Sequence, residues 1–354
     1  MSKRIIALLL ALVMVFALCA CGNGGNGGNS AGTEDVGDET YTIRIACENS
    51  DSYPATLGLY QMEKYVESHT NGKVQIEVCA SGQLGGEEET LEQVAQGNLE
   101  MAVASFAPVV SYVPEFEVMD IPFVYNSYTE AWMVLDSYVG TNLLDKMEAQ
   151  GLKGMAYMEN GMRQVTSNVS AINSIADFKG VKLRTMQNNN HMESFSALGA
   201  NPTPVAFSEL YISLSQKVVD AQENPIANVT DKKLYEVQKY LSLTNHIYDA
   251  MPLVCNLEFF NSLPQAYQKV VQAGAIYAQE FSRFCNYERE SLILADLADK
   301  YGMQINEVSA DARAEMAKVA QPAVIKLVAK DIGQDVVDQY MKDVKDVLAQ
   351  ISKF

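Results

Sequence analysis

From Tyr41 onward, runs of alternating polarity and runs of helical periodicity succeed one another, and this rhythm most limits what the chain can fold into. Thr42-Ile43-Arg44-Ile45-Ala46 alternates and reads as a strand. Tyr53-Pro54 opens a helix whose Leu59, Met62, Tyr65 and Val66 share one face, and Asn71-Gly72 ends it. Residues 74–79 form the next strand, followed by a turn at Gly82-Gln83-Leu84-Gly85-Gly86. Glu87, Glu88 and Glu89 then crowd a helix N-terminus, where the macrodipole favours acids. Gly97-Asn98 stops that helix, and residues 101–104 read as a third strand. Strands separated by helices need crossover connections, so the expected class is α/β, a parallel sheet with helices on both faces. At 354 residues and 48% hydrophobic, the chain suffices for one large domain or two ordinary ones.

The same reading continues. Residues 112–125, with Pro114 and Pro122 among aromatics, are irregular and either line a cleft or cap a core. Trp132 shares a helix face with Leu135, Val139 and Leu143 and is assigned to the core. Residues 152–158 are a strand, Asn160-Gly161 a break, and residues 162–166 are extended again, as where a chain crosses into a second domain. That domain would run from Gly161 to about Ile247, with a helix over 231–240 and a strand over 241–244. Residues 251–259 would cross back. Helices follow over 264–300, 310–330 and 331–351, the first packed through Val270, Ala273, Ile276, Tyr277, Phe281 and Phe284.

The N-terminus reads as an address. Lys3 and Arg4 precede an apolar run over residues 5–18, too short to span a bilayer at ~20 residues. Residues 1–20 are therefore expected to be a signal peptide. Leu18-Cys19-Ala20-Cys21-Gly22 resembles a bacterial lipobox, which would make Cys21 the lipid attachment site; an ordinary signal peptide with a chance cysteine is the alternative. Residues 21–40, rich in glycine and asparagine, are expected to be a flexible tether. Removing the leader loses Lys3 and Arg4 and no acid, taking the net charge from −18 to −20. Such a chain repels nucleic acid and anionic headgroups. Cys47 and Cys79 each lie near a strand end, leaving open a disulfide between them or buried thiols.

Chemistry concentrates in residues 180–224. Arg184 ends a strand, where ligands of α/β sheets bind. Its planar fork suits a carboxylate and stays charged. Asn201-Pro202-Thr203-Pro204 reads as a stiffened turn, Phe207 opens a helix and can face the apolar side of a ligand, and Asn224 offers an amide at another strand end. Arg163 lies on a neighbouring extended segment, and Gln187 and Asn188 can bond hydroxyls. Such a set holds an organic anion without reacting with it. From Tyr41 onward no GxGxxG, GxSxG or HExxH occurs, the three histidines (His69, His191, His246) lack a metal or nucleophile partner in sequence, and no cofactor or metal is implied.

Asn160-Gly161-Met162-Arg163-Gln164, residues 173–184 ending in Arg184, Leu198-Gly199-Ala200-Asn201-Pro202-Thr203-Pro204, Val219-Asp220-Ala221-Gln222-Glu223-Asn224-Pro225 and residues 235–240 resemble the extracytoplasmic solute-binding proteins of TRAP transporters, the DctP type. The resemblance runs from Tyr41 to about Ile351. It implies a two-domain periplasmic-binding-protein-like (Venus flytrap) α/β fold with hinge-crossing strands and a long helix spanning both domains. Domain I would comprise 41–160 plus 249–289, and domain II 161–248 plus 290–354. It implies a non-enzymatic extracytoplasmic receptor that delivers an organic acid to the small and large membrane permease subunits; with the lipobox at Cys21, a lipid-anchored monomer is expected. Arg184 would bridge the ligand carboxylate, Arg163 and Asn224 would complete that site, and Phe207 would pack on the ligand body. The branch that looks nearest binds sialic acid. Its second-half residues match here, whereas the first half offers Glu48, Asn49, Glu87, Ser105 and Pro108. A uronate or related sugar acid is the leading expectation, with sialic acid and dicarboxylates as alternatives; Glu48 would disfavour a second carboxylate. Outside the family, the rivals are a secreted carbohydrate-acting enzyme and a lipoprotein serving an ABC importer or chemoreceptor.

Overall fold

The computed structural model describes residues 39–350. The leader, Cys21 and all of the tether but its last two residues lie outside the described residues. In chain order the elements are β1 (Tyr41–Ala46), α1 (Pro54–His69), β2 (Val74–Cys79), α2 (Glu87–Ala95), β3 (Met101–Val103), α3 (Phe106–Val109), α4 (Tyr128–Leu135), α5 (Tyr138–Lys146) and β4 (Leu152–Ser167). Then come β5 (Lys182–Thr185), α6 (Asn189–Ala197), β6 (Asn201–Pro204), α7 (Leu210–Ser215), β7 (Ala221–Pro225), α8 (Ile226–Asp231), β8 (Tyr240–Leu243) and β9 (Tyr248–Asn256). The chain closes with α9 (Leu257–Ser262), α10 (Gln265–Asp299), β10 (Gln304–Glu307), α11 (Ala310–Ile332) and α12 (Gln334–Leu348).

The strands follow the order β2-β1-β3-β9-β4-β7-β5-β6, with β8 on β4 and β10 on β8. β1 pairs parallel with β2 and β3, and β5 pairs parallel with β6 and β7. The two parallel sets are joined by antiparallel β4 and β9. β4 lies against β9 from Leu152 to Met162, then against β7 and β8 up to Ser167. The expected break at Asn160-Gly161 is instead a bulge within one 16-residue strand. Gly161 has φ +127°, and a Cβ there would meet the Tyr128 hydroxyl, Asn286 and Pro225 at 3.1–3.3 Å. Glycine lets β4 change partners without ending.

Four apolar clusters hold these elements, and the two longest helices each belong to two of them. α10 lends Val271, Ala275 and Ala278 to the cluster with α1 and β1, and Leu297 to the cluster under α7 and α8. α11 lends Met316 and Ala320 to one cluster, and Val324 and Val328 to another. At ~1.5 Å per residue, α10 is about 50 Å long. None of the described helices is long and apolar enough to cross a membrane.

Several expectations change. α10 buries Val271, Gly274, Ala275, Ala278, Ser282 and Cys285, while Ile276, Tyr277 and Phe284 are 45%, 46% and 61% exposed. Small residues won that face because α1 approaches closely: a Cβ on Gly58 would sit 2.6 Å from the Ala278 carbonyl oxygen, and one on Gly274 2.7 Å from Val66. Gly58→Ala is therefore expected to cost about 1–3 kcal/mol by overpacking against backbone, read as a lower urea midpoint at unchanged slope; an unchanged midpoint would show that the helix pair yields freely. The helix expected over 231–240 lies earlier, as α8, because Pro225 starts it and Lys233, at φ +53°, ends it. Asn201–Pro204 is an edge strand rather than a turn. Asn201 and Val205 donate inward, to Val181 and Thr185, so Pro202 and Pro204 occupy outward positions where no donor is needed. Residues 112–125 cap a core: a 3-10 helix over Pro114–Asp120 buries Phe116, Val118 and Met119. Trp132 is half-buried and donates its indole N–H to Glu159 at 2.7 Å.

Candidate functional site

A cavity of about 260 Å³ lies where the ends of β1, β3 and β5 meet β7 and the bulge of β4. Arg184, Asn224, Phe207, Gln187, Glu48 and Ser105 all line it. Arg163 and Asn188 do not.

Arg184, the third residue of β5, is 1% exposed. Its Nε donates to the Val205 carbonyl at 2.8 Å, while Nη1 is buried without a hydrogen-bond partner. Burial, with Arg163 adding to it, lowers its pKa to about 10 against the attraction of Glu223; the side chain stays protonated at neutral pH. A buried, charged guanidinium lacking its full complement of acceptors is a strong anion ligand, because an incoming carboxylate meets a group already stripped of water. Phe207 starts a 3-10 turn after β6 and has the Lys232 ammonium 4.5 Å from its ring centroid. Asn224 donates to Gln222 at 2.6 Å and accepts from Asn228 at 3.4 Å. Gln187, exposed on the rim, donates to Glu88 at 3.1 Å.

Glu48 follows β1 and is 7% exposed, with Oε1 unpartnered. Burial pushes its carboxyl up, against the pull of Lys232 and Arg184. Ser105 gives both its backbone N–H (3.0 Å) and its hydroxyl (2.9 Å) to Oε1 of Glu87, which also lines the cavity. Burial and the charge of Glu48 push Glu87 up to about 8.

Arg163 lies behind this wall. Nη2 donates to Glu223 Oε1 and Nη1 to Asp249 Oδ2, each at 2.8 Å, and all three residues are at most 1% exposed. Burial alone would lower its pKa, but Glu223 and Asp249 outweigh it and raise it. Its one tie toward the cavity is a 3.3 Å contact from Nη2 to Asn224 Oδ1. Its acceptors sit 60 and 86 residues away in sequence, beyond local pattern reading. Asn188 caps α6, accepting from Asn190 and His191 N–H and donating to Asp120 at 2.9 Å. Two of the histidines join the buried cluster: His246 Nε2 lies 3.1 Å from Glu223, and His191 Nε2 3.3 Å from Asp120. His69 is exposed and stacks on Tyr65. Cys47, Cys79, Cys255 and Cys285 are all free and buried, so the buried-thiol alternative holds. Among the described residues, no group of three or more His, Cys, Asp or Glu is placed to hold a metal ion.

Sequence reasoning passed over Asn160, Asn228 and Met251 as lining residues. Asn228 receives from Asn49 at 3.0 Å and donates to Asn160 at 2.9 Å, tying α8, β4 and the segment after β1 into one wall. Glu87 read as a helix-start charge. Nothing in the sequence separates the three adjacent glutamates; it is the fold that turns the Glu87 carboxyl toward the N–H that follows β3.

The sequence matches the family described as bacterial extracellular solute-binding protein, family 7 (DctP), over residues 45–331. It is 31% identical to the C4-dicarboxylate-binding periplasmic protein DctP of Rhodobacter capsulatus over 287 residues, 80% of this chain and 85% of that one. The structure resembles the sugar acid binding protein DctPAm of Advenella mimigardefordensis strain DPN7T, solved with galactonate (TM-score 0.83, 31% identity, 87% of this chain and 99% of that one). It also resembles a TRAP periplasmic solute binding protein of Polaromonas sp. JS666 bound to D-erythronate (TM-score 0.80, 34% identity, 85% and 98%). A cavity lined by one buried guanidinium, on a two-domain α/β fold shared with these receptors, agrees with the matches taken together: the chain belongs to the DctP family of bacterial extracellular solute-binding proteins and is a solute receptor of the TRAP type, not an enzyme.

Proposed function

We propose that this receptor binds a hydroxylated monocarboxylate, a uronate or related sugar acid, through a salt bridge from Arg184, and passes it to a TRAP permease pair. The supporting observation is the mixed charge of the cavity lining. It holds the under-partnered Arg184 guanidinium together with Glu48, Glu87 and Ser105, which suit hydroxyls and repel a second carboxylate. Asn224 and Gln187 supply further amides, and Phe207 an apolar face. In this reading Arg163 acts from behind, holding Glu223 and the Asn224 amide in place. The related receptors solved with galactonate and D-erythronate favour sugar acids over the dicarboxylates that the name of the Rhodobacter relative indicates.

Residues 41–160 plus 249–289 and residues 161–248 plus 290–354 would act as two lobes that close on the ligand, with β4 and β9 as the crossing strands. The leader would be cleaved and Cys21 would carry the lipid, placing a monomeric receptor outside the cell membrane. The decisive experiment is a thermal-shift panel of galactonate, erythronate, glucuronate, sialic acid and succinate. Ligand at 100 times its Kd is expected to stabilise the fold by about 2.7 kcal/mol, so sugar acids should raise the midpoint while succinate leaves it in place. A shift with succinate alone would replace the sugar-acid reading by the dicarboxylate one.

A further inference from the structure

The cavity that Arg184 lines also carries two carboxyl groups from different elements. Glu48 comes from the segment after β1 and Glu87 from the first position of α2. The Glu48 carboxyl lies against Gly86, where a Cβ would stand 3.9 and 4.0 Å from its two oxygens. It is more than nine-tenths buried and Oε1 has no partner. The Glu87 carboxyl is committed on one oxygen only, to Ser105. The surrounding charges are few. Lys232, after α8, and Arg184, on β5, attract Glu48; Asp249, on β9, repels Glu87; Glu88 and Glu89 lie exposed on the rim. Two carboxylates in one poorly solvated cavity resist double ionisation.

We infer that Glu48 and Glu87 form one specificity element that shares a single proton, so that it both donates to and accepts from a ligand hydroxyl and admits a second carboxylate only by taking up a further proton. The inference rests on the sugar-acid reading and adds the means of discrimination. A singly protonated pair offers one O–H donor beside free acceptor oxygens, and a hydroxyl matches both. A carboxylate has only acceptors, so it must find both glutamates protonated or meet a charge of its own sign. Burial pushes both groups in the required direction, Glu87 to about 8.

The test compares D-galactonate with galactarate, the same six-carbon chain with a carboxylate at each end. Each is titrated calorimetrically into the protein between pH 5.5 and 9, in buffers of different ionisation heat. Galactonate is expected to bind with little net proton exchange near pH 7. Galactarate is expected to take up about one proton and to lose up to tenfold in affinity per pH unit over part of that range. The double variant Glu48→Gln/Glu87→Gln should flatten the galactarate profile and narrow the preference for galactonate; circular dichroism and the thermal midpoint check that it is folded. Because the wild-type proton count needs no variant, it stands as a test if the double variant misfolds. Equal proton counts and parallel pH profiles for the two acids, or an unchanged galactarate profile in a folded double variant, would overturn the shared proton. Failure of both acids to bind the wild-type protein at any pH would instead overturn the sugar-acid reading, and this inference with it.

Discussion

Arg184→Lys is expected to weaken galactonate binding by on the order of 10- to 100-fold, about 1–3 kcal/mol, with the fold intact. The charge survives this change, but the geometry does not. In the native site Nε is spent on the Val205 carbonyl, which fixes the plane of the guanidinium and leaves its terminal nitrogens for the ligand. An ammonium on a flexible stem can meet one carboxylate oxygen but cannot reach Val205 at the same time, so the paired, coplanar contact is lost along with the anchor that orients it. Removing Nε's donor also strands the Val205 oxygen unless water replaces it. Calorimetry at fixed pH and salt reads the effect directly. An affinity within twofold of wild type would place the carboxylate elsewhere in the cavity and remove Arg184 from the binding contact.

The largest effect on stability is expected from Arg163. Arg163→Gln should cost about 3–5 kcal/mol, since it leaves Glu223 and Asp249 facing each other in the interior with one cation gone. Burial would raise the Glu223 carboxyl, yet Arg163, His191 and His246 together hold it well below the ordinary range. Its contribution is therefore complete above pH 4.5 and is lost only as the pH falls through that depressed value. His191 runs the other way. Burial would lower its pKa, but Asp120 and Glu223 raise it from 6.5 to about 9. The stability it confers is full below pH 6.5 and fades as the pH rises through about 9. The Glu87 carboxyl, raised to about 8, also penalises folding as the pH rises, so the comparison must be between proteins. The wild type should lose stability from pH 6.5 to 9, and His191→Gln should lose less across the same window. Parallel urea midpoints for the two proteins across that window would show that His191 carries no charge in the native state.

How far the sequence could be read follows from how local each signal was. The strand–helix rhythm, the strand holding Arg184 and the strand holding Asn224 are set by neighbours within a few residues, and each appears close to where it was expected. Arg163 looked like a second ligand cation because a strand-borne arginine near a family motif does; only the fold brings Glu223 and Asp249 to it. The face of α10 was misassigned for a related reason. Periodicity favoured the large residues Ile276, Tyr277 and Phe284, while the close approach of α1 turns the small residues Gly274, Ala278 and Ser282 inward. The wall made by Asn49, Asn160 and Asn228 depends on a hydrogen bond spanning 179 positions, and nothing in any one segment announces it.

Strand β6 has a bearing on how the molecule behaves in a crowd. An open sheet edge ordinarily offers a row of N–H groups on which another chain can grow a strand, the first step toward fibres and edge-to-edge precipitates. Here both outward positions of the terminal strand are prolines, so that row carries no hydrogen at Pro202 or Pro204. An extracytoplasmic receptor meets its own copies. On this side, the same two rings that keep the strand extended deny those copies a template.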